Sequence, residues 1–155
     1  MISSDQRVKH TLAVIARRPE LPLKNIVVNA IDILRTSPMP RPRSDSIIKS
    51  RLLLSNNRTK LIEYRINIAM EISIIAGARD DLIAFIGEKY QNYLGSAKNQ
   101  KSRDAIVYKA LTPIHRRIRK LESALDAINQ VISDLDVKSY GINNTIEALK
   151  LGERE

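Results

Sequence analysis

TPIHRRIRKLESALDAINQVISDLD, residues Thr112 to Asp136, is the stretch that decides the fold. With Leu111 just before it, its apolar residues fall at Ile114, Ile118, Leu121, Leu125, Ile128, Ile132 and Leu135, in alternating steps of three and four. That spacing fills every a and d position of a heptad helix. Thr112 is placed to act as N-cap, and Pro113 stands in the first turn, where its missing N–H costs nothing. No Gly or further Pro interrupts the run, so the spacing predicts a helix about 36 Å long. A stripe this narrow needs another helix over it, from this chain or from a second copy.

The charges on that helix run against its dipole. His115, Arg116, Arg117, Arg119 and Lys120 crowd its first turns, while Glu122, Asp126, Asp134 and Asp136 follow. A helix prefers acids at its N-terminus and bases at its C-terminus, and each exposed charge in the wrong place costs a few tenths of a kcal/mol. A sequence that breaks a local rule usually does so for a partner. Two partners fit: an antiparallel helix with an acidic end, or a polyanion drawn to the basic end alone.

The bulk numbers narrow the choice. The chain has 155 residues, 43% of them apolar, with one Phe and no Trp. One domain with at most a small appendage is expected, with a core of Ile, Leu, Val and Ala, as in helical bundles. The net charge is +9 and is segregated. Residues 1–60 carry 12 Lys and Arg against 4 Asp and Glu, and residues 96–120 carry 8 against 1. Segregated basic charge favours a nucleic acid or an anionic surface over plain solubility, which mixes its signs. The absence of Cys excludes disulfides and thiolate metal sites. No apolar run is long enough to span a membrane, and MISSDQRVKH lacks the apolar core of a signal peptide, so a cytoplasmic location is expected (host cytoplasm if the protein is viral).

Taken in order, Ser3 or Ser4 with Asp5 can cap a first helix, QRVKHTLAVIARR, broken by Pro19 and Pro22. Leu23 to Leu34 reads as a second helix. This pair, residues 1–37, resembles a helical hairpin or a small helix-turn-helix, and its second helix offers few base-reading side chains. SPMPRPR follows, and residues 38–43 read as a stiff basic linker, a hinge or an arm along phosphates. Residues 44–152 read as the helical core and oligomerisation region. Its first helical region runs to about Leu94, with breaks expected at Ser55-Asn56-Asn57 and Gly77. Its apolar face is wide, including Ile47, Ile48, Leu52, Leu61, Ile66, Ile75 and Ile86, so cover on more than one side is expected. Tyr90 and Tyr93 beside Lys89, Lys98, Lys101 and Arg103 are the one place where aromatics interleave with bases, a combination suited to single-stranded nucleic acid. Arg103 to Ala110 leads into the seam helix, and a turn at residues 136–141 precedes a last short helix.

No phosphate-cradling Gly loop, catalytic triad order or metal-ligand spacing is present. His10 and His115 read as solvated helix residues, and Glu63 and Glu71 lie two turns apart with no third ligand. An enzyme is not expected, and no cofactor is expected.

The C-terminal part resembles the UvsY-type recombination mediators of tailed phages. The residues that carry this are Lys138-Ser139-Tyr140, Ile142, Asn144, Ile146-Glu147, Leu149-Lys150-Leu151 and Gly152, with Lys89, Tyr90, Tyr93 and Gly95 before them. The resemblance covers residues 85–152. It departs from the family in residues 1–43 and at Ala148, where an aromatic is frequent. It implies a small oligomer that binds single-stranded DNA and helps load a recombinase, with Lys89 among the binding residues.

The sequence therefore predicts an all-α helical bundle with a long heptad-patterned helix hairpin and a small N-terminal helix pair. The function expected is that of a basic accessory protein, a homo-oligomer, gripping single-stranded DNA through Lys89, Lys98, Lys101, Arg103, Arg116, Arg117, Arg119 and Lys120. Ile118, Leu121, Leu125, Ile128 and Ile132 are the expected oligomerisation residues. A small terminase-like packaging subunit and a structural helical adaptor for an acidic protein are the alternatives.

Overall fold

In the computed structural model, residues 2–39, 44–97 and 99–152 are described, and the described residues form an all-α fold containing a long helix pair. A 3-10 turn at Ile2–Ser4 leads into α1 (Gln6–Arg17) and α2 (Leu23–Thr36). The long α3 (Ser44–Lys89) follows, then the short α4 (Gln91–Gly95), α5 (Gln100–Ala110) and the long α6 (Thr112–Gly152). Arg41 and Arg43 of the basic linker lie outside the described residues, as does Lys98.

α1 starts where Asp5 leaves the extended region and accepts hydrogen bonds from the Arg7 and Val8 backbone N–H groups. Both α1 and α2 stop at a residue followed by proline. Arg18 and Ser37, at φ/ψ of −61°/135° and −66°/133°, occupy the extended conformation that a following proline imposes.

The seam of α3 is narrower than its composition suggests. Ile47, Leu54, Leu61, Ile68, Ile75 and Leu82 are buried at strict seven-residue intervals. Two of the alternate seam positions, Asn57 and Glu71, are buried polar groups. Ile48, Leu52 and Ile66, expected in the wide face, are exposed. The expected breaks do not occur: α3 runs through Ser55-Asn56-Asn57 and Gly77, and α6 runs through Gly141 to Gly152. One glycine costs a helix interior only about 1 kcal/mol, and buried neighbours one and two turns away outweigh it.

The chain divides into two compact units that cut across its linear order. The first comprises residues 1–21 and 69–122, the second residues 22–68 and 123–155. The division places α1 and α2 in different units. In the first unit, Val8 and Ile15 of α1 are buried, as are Ile75, Leu82 and Ile86 of α3 and Ile114, Ile118 and Leu121 of α6. In the second, Ile26 and Ala30 of α2 are buried, as are Leu54 and Leu61 of α3 and Ile128, Ile132, Leu135 and Ile142 of α6.

The seam residues expected to mediate oligomerisation are part of these cores. Ile118, Leu121, Ile128 and Ile132 are buried within the single chain, and Leu125 is half-buried. The cover over the seam comes from this chain, so these five side chains have little surface left to offer a second copy.

Candidate nucleic-acid interface

The head of α6 sorts its five basic residues by helical angle. Ile114, Ile118 and Leu121 define the buried side. Arg116, Arg119 and Lys120, spaced three and four apart, share the outward face and are exposed. Among the described residues no carboxylate makes an ion pair with any of the three. Like charges at this spacing repel by a few tenths of a kcal/mol per pair, and the helix N-terminus adds to the penalty.

Arg117, also expected to grip an anion, faces the other way and is engaged within the fold. Its side chain is only 12% exposed and donates to Glu71 Oε1 at 3.0 Å. It also donates to the backbone carbonyls of Ile15, Arg18 and Pro19, the open end of α1. The Ile15 carbonyl also accepts from the Arg18 N–H, and the guanidinium beside it complements the negative end of the dipole. Arg18, the C-cap of α1, donates to Glu71 Oε2 at 2.9 Å and to Oε1 at 3.3 Å. Glu71 thus sits between two guanidinium groups, and Arg18 first, then Arg117, hold its carboxyl below the usual range against the opposing effect of burial.

Lys89 is likewise engaged. Its ammonium lies 2.6 Å from Asp5 Oδ2, and the Tyr90 hydroxyl donates to the same oxygen at 2.7 Å. Asp5 therefore caps α1 with one oxygen and ties α1 to the end of α3 with the other. Its carboxyl is held well below the carboxylate range, by Lys89 above all and then by Tyr90. Lys89 and Tyr90, the residues that the mediator resemblance singles out, are used to fasten the fold.

Of the other expected contacts, Lys101 is exposed on α5, while Arg103 is half-buried with its Nε buried and unbonded among the described residues. Thr112 does not act as the expected N-cap of α6. Its hydroxyl donates backward to the carbonyls of Lys109 (2.9 Å) and Tyr108 (3.3 Å), closing the end of α5.

The structure adds two residues to the site. Tyr108 stacks on His115, ring centroids 4.3 Å apart at 16° between planes, and the Arg119 guanidinium lies 5.9 Å from the Tyr108 ring centre. His115 was expected to be solvated. Burial, then Arg79 and Arg119, lower its pKa below the ordinary imidazole value. Tyr108 is not among the residues expected from the sequence, where aromatics and bases interleave around Tyr90 and Tyr93. The signal was available: Tyr108 lies seven residues before His115, one heptad, in consecutive helices. Between α1 and the head of α6 is a cleft of about 240 Å³ with Leu12, Ala16 and Pro113 in its wall and Arg116, Lys120 and Glu20 among its polar lining.

No family model, curated protein or solved structure matches this chain. The site therefore stands on its chemistry: three outward cations on one helical face, a half-exposed aromatic pair beside them, and a buried ionic anchor beneath. Among the described residues no group of three or more His, Asp or Glu is placed to hold a metal ion, and no described helix is long and apolar enough to cross a membrane.

Proposed function

We propose that the protein is a non-catalytic nucleic-acid-binding accessory protein, with single-stranded DNA the favoured ligand, resembling a recombination mediator that helps load a recombinase. One observation carries the reading: Arg116, Arg119 and Lys120 form an exposed cationic face with no ion pair among the described residues, while Arg117, in the same turns, is paired with Glu71. A face that served only solubility would gain by mixing signs. The adjoining Tyr108–His115 stack supplies an aromatic surface of the kind on which unpaired bases stack, and Arg119 sits between the two functions. A duplex-reading, terminase-like arrangement requires residues 1–37 as an independent pair. The bonds that α1 makes through Asp5 and Arg18 to Lys89 and Glu71 favour the mediator-like reading over it.

The test is binding to a labelled single-stranded oligonucleotide by the wild type and by the triple reversal R116E/R119E/K120E. Loss of at least tenfold in affinity with unchanged helicity is the expected result. Equal affinity in the two proteins refutes the site, and no binding by either leaves the helical adaptor as the better account.

A further inference from the structure

A second heptad line runs along the outside of α3 in the second unit. Ile48, Leu52, Ser55, Thr59, Ile62 and Ile66 follow at steps of four and three, all exposed except the half-buried Ile62. Ile48 is 71% and Leu52 64% exposed, unusual for large aliphatic groups on adjacent turns of one helix face. Arg51, Arg58 and Arg65 flank this line one residue before Leu52, Thr59 and Ile66, which is the g column of a coiled coil. Arginine in all three places repels a second α3 line, so this face is not built to pair with its own kind.

α6 carries an outward line of the opposite sign in the same unit. Asp126, Ser133, Val137, Tyr140, Asn144 and Glu147 are all exposed, at steps of seven, four, three, four and three. Val137 and Tyr140 are 70% and 69% exposed, and Asp134 and Asp136 flank them. Arg58 and Asp136 are 2.7 Å apart within the chain, so this pairing of charges already occurs once.

We infer that the second unit is a self-association surface, in which the apolar line of α3 on one copy receives the α6 line of a second copy. The occupant follows from the charges: arginine columns on one line and carboxylates on the other belong to the same unit. A two-fold axis then makes the contact twice, which closes the pair. This surface is separate from the buried seam and independent of the nucleic-acid reading, so it is tested without any nucleic acid.

The experiment is sedimentation equilibrium of the full chain with helicity checked by circular dichroism. The wild type is expected at twice the chain mass and I48E/L52E at half of that. Charge reversal provides the stricter arm. R51E/R65E and D134K/E147K are each expected to be monomeric alone, because each variant sets the reversed charges of one line against like charges on the other. Mixed in equal amounts they should recover the dimer mass, since each line meets its opposite on the other chain. A monomeric wild type, a larger assembly, association that survives I48E/L52E, or a mixture that stays monomeric each overturns the proposal.

Discussion

Glu71 occupies a seam position where heptad packing ordinarily places an apolar side chain, and the two guanidinium groups facing it explain how it stays there. With Arg117 12% and Glu71 11% exposed, water can replace little of what a lost partner gave. Glu71→Gln removes the charge and leaves two cations facing an amide, and a loss of roughly 3 kcal/mol in unfolding free energy is expected at neutral pH. The pH dependence follows from the signs. Glu71 and Asp5 both lie below their ordinary values of 4.5 and 3.8, so the unfolded chain takes up protons at pH values where the folded chain does not. The stability they contribute is complete above about pH 5 and is lost as the pH falls through 4 and below. Urea midpoints measured at about pH 6 and about pH 3 should therefore fall in the wild type and fall less in Glu71→Gln. An equal fall in both proteins would remove Glu71 from the acid sensitivity.

At the scale of the helix, Gly77 shows how a local signal can mislead. It read as a break, yet α3 continues through it, and a Cβ added there meets nothing within 4 Å. Gly77→Ala is expected to raise unfolding free energy by about 0.5–1 kcal/mol, read as a higher thermal midpoint with unchanged helicity. The same comparison explains what was legible in the sequence. The heptad of α6 depends on side-chain period alone, and Ile114, Ile118, Leu121, Ile128, Ile132 and Leu135 are buried where the spacing put them, while Leu125 is half-buried and Ala124 and Val131 are buried outside the spacing. The seam of α3 was obscured because Asn57 and Glu71 look like surface residues until their partners are known. Asn57 donates to Ser37 Oγ at 3.0 Å, and Lys138 reaches the carbonyls of Leu34 and Ser37 at the end of α2, as Arg117 reaches those at the end of α1. These partners stand 20 to 104 residues away in the chain, beyond any window of local pattern. For the candidate site, the outward set at 116, 119 and 120 was legible from charge and helical angle. The inward turn of Arg117 was not, because it depends on where α1 ends.

For the whole molecule, the net charge of +9 is a poor guide to how many cations meet an anion. Lys89, Arg58, Arg18 and Arg117 all have carboxylate partners within the fold. If Lys101, Arg116, Arg119 and Lys120 neutralise phosphates of a single strand, each contributes about 0.7 to the slope of log affinity against log salt, about 3 in all. R116Q/R119Q/K120Q should then lower that slope by about 2. Arg117→Gln serves as the opposite control. Because its guanidinium holds the end of α1, that variant should unfold at lower urea while the folded fraction keeps the wild-type slope. The two measurements separate a cation that meets the ligand from one that holds the frame. A slope lowered by Arg117→Gln but not by the triple variant would place the anion on the inner side of α6, against the geometry of Glu71.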